Sequence, residues 1–276
     1  MVELTQTQHR ALMQNLEFVQ KHTPEFIEEF TLVYGNNAHR LPFMKDYRAF
    51  ADNPEHPEII IVECGGLRIS ANPACGAYDK ALAAFLRDRY QKNRKDLWVS
   101  LASEALAPKI IAIFSKQKTE RLIRYNFRLD KEAFRALPDW RGLVPPGFSV
   151  KYFDTQSFEF LKKHGKTEDC WFPASKRFAF ATLHEGKIAS ECFSVFVDEG
   201  TAEVGIHTDE CFRRQGLASL TSMAFIEHCL NEGLEPNWGC WNFNHDSAAL
   251  ARKLGFELYS EVVCIRVTRR GLLSGR

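Results

Sequence analysis

From residue 148 onward the apolar positions first alternate and then shift to helical spacing. Phe148 to Tyr152 alternates as a strand does, and Thr155 to His164 carries Phe158 and Leu161 at helical spacing up to Gly165. Lys176 to Leu183 and Lys187 to Val197 are strand-like runs joined by His184-Glu185-Gly186, and Asp198-Glu199-Gly200 turns the chain into a third, Ala202 to Thr208. These three runs predict an antiparallel meander. The period then becomes 3.6: Leu217, Leu220, Ala224, Cys229 and Leu230 share a helical face that ends at Gly233. Pro236 to Trp241 reads as a strand, Ser247 to Leu254 as a short helix capped by Asp246 and closed by Gly255, and Tyr259 to Val267 as a last β-rich run. The predicted order is β-α-β-β-β-α-β-α-β.

The first half opens with two or three amphipathic helices between Leu4 and Phe50, one of them starting at Pro24. Ile59 to Glu63 and Leu67 to Ala71 then predict a hairpin across Cys64-Gly65-Gly66. A helix (Tyr78 to Tyr90), a strand (Leu97 to Leu101), a helix (Glu104 to Phe114) and a strand (Arg121 to Leu129) follow. That order repeats the later part of the second half. Two readings of it stand: diverged copies of one fold, the first without a phosphate loop because Asn72 to Gly76 lacks matching glycines, or an unrelated α/β cap. Leu137 to Gly147, with two successive prolines and two glycines, is the expected linker between a domain over residues 1–140 and one over 146–268.

Composition narrows the class. The chain has 276 residues, 45% hydrophobic and 26% charged, enough for a sizeable core and two domains. Its net charge of +1 offers no bulk field for nucleic acid or an anionic membrane. The N-terminus is polar from its third residue and no apolar run is long enough to cross a bilayer, so the expectation is a cytoplasmic protein without DNA or membrane partners. The eight cysteines show neither a Cys-x-x-Cys pair nor a histidine at zinc spacing, which predicts reduced, mostly buried thiols and no metal.

The chemistry gathers where the strand Ala202 to Thr208 gives way to a helix through Asp209-Glu210-Cys211-Phe212-Arg213-Arg214-Gln215-Gly216-Leu217-Ala218. Glycine and a small residue two apart let a phosphate approach the backbone, and the helix that follows presents unpaired N–H groups and the positive end of its dipole. Alone, such a loop is as consistent with a plain basic turn as with an anion cradle. One strand later comes Asn244-His245-Asp246-Ser247-Ala248-Ala249-Leu250-Ala251-Arg252-Lys253-Leu254-Gly255-Phe256. Together the two segments resemble the GCN5-related N-acetyltransferase (GNAT) family, over roughly 120 residues.

Arg213, Gly216 and Ala218 match the family's pyrophosphate loop, and Asn244, Ser247, Leu250, Gly255 and Phe256 match its later segment along the pantetheine arm. The resemblance implies an α/β (α+β) fold with a mixed, mostly antiparallel sheet flanked by helices in the C-terminal half. A helical and α/β N-terminal domain would precede it. The whole-chain organisation is similar to the bacterial group that includes the zwittermicin A resistance acetyltransferase. By the same resemblance acetyl-CoA is the acyl-donor substrate. It would be held by Ile206, His207, Thr208, Arg213, Arg214, Gln215, Gly216, Leu217, Ala218, Asn244 and Ser247, with pantetheine in a V between the strand ending at Thr208 and the strand from Pro236.

Catalytic residues are less defined. Glu203 occupies roughly the place of the family's general base, and Glu191 is a second candidate. The family's usual tyrosine acid is replaced by Ala251, leaving Tyr259, Cys240 and His245 as substitutes. His207 alternates with Glu203 and lines the acceptor pocket or serves the structure. Trp171, Phe172, Trp238 and Trp241 wall the acceptor site or fill the core. The reading is direct acetyl transfer to a small-molecule primary amine by a monomer or homodimer. An aminoacyl-tRNA-dependent transferase and a non-catalytic acyl-CoA sensor are the alternatives.

Overall fold

The computed structural model describes residues 1–5, 7, 8, 48–63, 66–72, 74–157, 177–198 and 200–269. The helices expected before Phe50, most of the helix expected from Thr155 to His164, and Trp171 and Phe172 lie outside them. In chain order the strands and helices are β1 (Val2–Leu4), β2 (Arg48–Ala51), β3 (Ile59–Glu63), β4 (Leu67–Ala71), α1 (Asp79–Lys92), β5 (Leu97–Leu101), α2 (Ala107–Ile113), β6 (Thr119–Leu129), α3 (Lys131–Arg135) and β7 (Phe148–Phe153). These are followed by β8 (Ala179–His184), β9 (Lys187–Asp198), β10 (Thr201–Thr208), α4 (Leu217–Asn231), β11 (Glu235–Trp241), α5 (His245–Lys253) and β12 (Phe256–Val267).

The chain forms two compact units, residues 1–124 with 261–276, and residues 125–260. In the first, β1 to β4 run antiparallel in sequence order and β5 lies parallel to β4 over three register pairs, Leu67↔Val99 to Ile69↔Leu101. Val263 to Val267 of β12 complete this sheet on the other side of β5. Its core is aliphatic, with Ile59, Ile61, Ile69, Leu82, Leu86, Val99 and Ile110 fully buried. Runs of Ile and Val suit strands because branching at Cβ fits the pleat.

In the second unit β8 to β10 form the expected antiparallel meander, and β7 adds to it antiparallel to β8. β11 lies parallel to β10, and the part of β6 that belongs to this unit lies beside β11. Phe127, Leu129, Phe225, Ile226, Trp238 and Phe256 build its core. The architecture is a mixed, mostly antiparallel sheet flanked by helices, as the sequence led us to expect.

Three local findings differ from the sequence reading. Leu137 to Gly147 is docked inside the second unit: Trp140 Nε1 donates to Glu227 Oε2 at 2.9 Å, and Arg141 grips the same carboxylate at 3.0 and 2.7 Å. Its prolines exclude a continuous α-helix, but Trp140–Leu143 forms a 3-10 turn capped by Asp139, and the segment is anchored. Arg48–Ala51 is a strand that the sequence did not predict. The cap of α5 is Asn244, whose side chain accepts from the Ser247 N–H, and Asp246 already lies in the first turn.

Candidate functional site

β10 and β11 are hydrogen-bonded neighbours only at their start. Thr201↔Glu235, Ala202↔Pro236 and Glu203↔Asn237 are in register, and pairing stops there, whereas β9 keeps its register with β10 as far as Thr208↔Ser190. From Val204 onward β10 therefore has a partner strand on one side only. The two parallel strands part and leave a cleft whose closed end is at Glu203. The β9–β10 register shifts between Ala202 and Val204, so a bulge on β9 faces Glu203 and re-aims the strand at the point of parting.

The cleft has two faces. Val204, Ile206 and Thr208 turn toward the side covered by α4, where Thr182 and Thr221 share a 2.7 Å hydrogen bond and Ser190 Oγ meets Thr208 Oγ1 at 2.9 Å. Glu203, Gly205 and His207 take the opposite face. Gly205 is required there: a Cβ on it would stand 2.5 Å from the Phe193 ring, which lies across it. Glu191, opposite His207 in register, is fully buried with Oε1 3.9 Å from His207 Nδ1. On β11, Asn237, Gly239 and Trp241 share this face. The Trp241 and Phe243 rings stack at 6.4 Å, and Phe243 is 58% exposed.

Beyond Thr208 the chain turns through Glu210–Phe212 to the N-terminus of α4. Arg213 Nε donates to the Thr208 carbonyl at 3.3 Å, closing the loop. Arg214 and Gly216 adopt the left-handed conformation, with φ of 64° and 79°. A side chain at Gly216 would meet nothing within 4 Å, and no side chain caps α4. The first turn of this helix carries no acidic residue, and the exposed Arg213 and Arg214 lie just before it, Arg213 paired with Glu210 at 3.5 Å. Lys253 Nζ, from α5, reaches Ser219 Oγ at 3.1 Å in that same first turn. Sequence reasoning missed Lys253 because its neighbour is 34 residues away on another helix.

The remaining expected residues divide. Ile206, His207, Thr208, Arg213 to Ala218, Asn244 and Ser247 all lie on the elements that border the cleft or its open end. Asn244 caps α5, and Ser247 Oγ accepts from Trp238 Nε1 at 3.0 Å, so both fix the helix that follows β11. Tyr259 is not brought to the cleft. It stands on β12, with β6 and β11 between it and β10, and the Arg128 guanidinium lies 4.0 Å over its ring. Cys240, Trp238 and Ala251 are in the core, and burial pushes the Cys192 and Cys229 thiols up and out of reactivity. Among the described residues no three His, Cys, Asp or Glu side chains gather as a metal would need, and no helix is long and apolar enough to cross a membrane.

Residues 44–265 match the family described as GNAT acetyltransferase. An uncharacterized N-acetyltransferase of Bacillus subtilis, YdfB, is 44% identical over 220 residues, covering 77% of this chain and 82% of its own. Among solved structures, a GCN5-related N-acetyltransferase-like protein from Streptococcus suis superposes with a TM-score of 0.66 at 18% identity, over 96% of this chain and all of its own. A tandem GNAT protein from the clavulanic acid biosynthesis pathway gives 0.58 at 14% identity, over 97% of each chain. At these identities the structural matches speak for the fold alone.

Proposed function

The chain belongs to the GNAT acetyltransferase family, and from that premise we propose that it moves an acetyl group from acetyl-CoA directly to a primary amine of a small molecule in the cytoplasm. The observation that carries this reading is the parting of β10 and β11 after three register pairs, next to an uncapped helix N-terminus that opens at Gly216. A pantetheine arm is an extended chain with amides, and β10 from Ile206 to Thr208 has no strand partner on its β11 side, which leaves that edge for the arm. A pyrophosphate suits the N–H groups of Leu217 and Ala218, the open space at Gly216, and the charges of Arg213 and Arg214, with Gln215 at the rim. Asn244 and Ser247 act by fixing α5 beside the arm.

Acyl transfer to nitrogen asks for a deprotonated amine at the thioester carbon. Glu203 sits at the closed end of the cleft on the face away from α4, where its carboxylate draws in an ammonium group and accepts its proton, directly or through water.

We also read the two units as diverged copies of one fold, only the second of which keeps the phosphate site. Both run three antiparallel strands into a helix and a parallel strand paired over three residues. Where α4 has an uncapped glycine start, α1 carries Asp79 in its first turn, bound to Lys109 Nζ at 2.9 Å. No described residue from Gly66 to Tyr78 has a positive φ. A carboxylate of its own at that helix end repels a phosphate.

Free-thiol release from acetyl-CoA with a panel of primary amines tests the function. Turnover with at least one amine is expected. Tight coenzyme binding with no turnover would favour a sensor, and salt-sensitive capture of labelled aminoacyl-tRNA would favour transfer from tRNA.

A further inference from the structure

We propose that His207 receives the second proton of the acceptor nitrogen and hands it to the departing sulfur, with Glu191 as the positioning residue that orients its ring. The inference rests on the cleft between β10 and β11 being the place of transfer.

The overall change is R–NH3⁺ plus thioester giving amide, thiol and one free proton. One proton leaves the ammonium before attack, and Glu203 is placed to take it. A second leaves nitrogen as the C–N bond becomes an amide, while the C–S bond breaks and its electron pair goes to sulfur, which needs a proton. One imidazole between nitrogen and sulfur serves both ends of that exchange. Of the substitute acids, His245 is exposed at the first position of α5, past the end of β11. Cys240 faces the core, and Tyr259 is separated from β10 by two strands.

His207 has the surroundings this task asks for. It stands on β10 beyond the last pair with β11, on the same face as Glu203, with only Gly205 between them on that face. At about 3.3 Å per residue the two side chains lie roughly 13 Å apart along the strand and bracket the middle of the cleft. His207 and Trp241 both stand six residues beyond the paired Thr201–Glu235 step, one on each wall.

The Glu191 side chain is 0% exposed and that of His207 33%. A carboxylate taken wholly out of water needs directed partners. This one lies in register with a histidine, 3.9 Å from its Nδ1, inside ion-pair reach and beyond hydrogen-bond length. A carboxylate on Nδ1 draws the neutral ring's proton to that nitrogen and leaves the Nε2 lone pair for the substrate. Catalytic hydrogen bonds of this kind commonly tighten only once substrate is bound. The other charged group on this face of β10 is Glu203. On β9 Phe193 is uncharged, as are Ala181 on β8 and Asn237, Gly239 and Trp241 on β11.

The test has two arms on the full-length chain loaded with coenzyme A. Nitrogen-15 shifts of the His207 ring, assigned by the signals lost in His207→Gln, should report the Nδ1–H tautomer, and Glu191→Gln should shift it toward Nε2–H. In the kinetic arm, thiol release with tyramine, spermidine and glycinamide should fall at least a hundredfold in His207→Gln, with acetyl-CoA affinity changed less than threefold. Added imidazole should restore part of the rate. An Nε2–H tautomer in the wild-type chain, or His207→Gln turnover equal to wild type, overturns the proposal. The tautomer decides alone where none of the three amines reacts or where Glu191→Gln fails to fold. Failure of acetyl-CoA to bind the wild-type chain would instead strike the cleft reading itself.

Discussion

Asn244 ties the second family segment to a physical task. Its side chain accepts from the Ser247 N–H and its carbonyl from the Ala248 N–H, so α5 begins where the resemblance places a coenzyme residue. Asn244→Ala should lower stability by about 1 kcal/mol, a fall of about 2–4 °C in Tm, while Asn244→Asp keeps the cap. Thermal melts of the two variants check this, and equal melting of Asn244→Ala and wild type would contradict it. The sequence alone pointed to Asp246 as the cap. Both residue types cap well, and the choice is settled by the backbone, which is non-helical at Asn244, with φ −87° and ψ 70°. The left-handed Arg214 was likewise hidden, since arginine gives no compositional sign of a positive φ.

Among the elements, α4 couples the site to the stability of its unit. It begins at the Gly216 cradle and ends near His228, whose ring packs against Phe178 at 4.7 Å, Tyr152 at 4.9 Å and Phe180 at 5.6 Å. Burial among these rings holds the His228 pKa below the usual 6.5. A histidine kept neutral in the fold binds fewer protons there than in the unfolded chain. Its contribution is therefore whole above about pH 6.5 and lost as the pH falls toward the depressed folded value. Urea midpoints should drop between pH 7 and pH 5.5, and His228→Phe should flatten that drop. An unchanged slope in the variant would exclude His228 as its source.

The elements around α4 were legible because each carries a clean period, from the meander to the helix that stops before Gly233. The separation of β10 from β11 was not. Each reads as an ordinary strand, and only their mutual register shows that they share three pairs. That expectation came through the resemblance, while the bulge opposite Glu203 had no signal of its own.

For the molecule as a whole, the composition of each unit was the least readable feature. β6 and β12 look like the closing strands of their own halves, yet Tyr125 to Leu129 belong to the second unit and Glu261 to Val267 to the first. Phe127 and Leu129 are core residues of residues 125–260, and Val263, Ile265 and Val267 are core residues of the first unit. Which sheet an apolar strand joins is decided by non-local pairing, and Leu137 to Gly147 looked like a boundary because its prolines and glycines say nothing of Trp140 and Arg141 docking on Glu227.

One coenzyme site per chain, built on Gly216, is the central claim, and calorimetric titration with acetyl-CoA tests it most directly. The wild-type chain should bind one equivalent. Gly216→Asn keeps a residue type that tolerates φ 79° and, with open space around it, should bind within about tenfold of wild type. Gly216→Asp has the same shape with a charge about 4 Å from the pyrophosphate, worth about 4 kcal/mol of repulsion, and should weaken binding about a thousandfold. Equal affinity of Gly216→Asp and Gly216→Asn, or two equivalents bound per wild-type chain, would contradict the account.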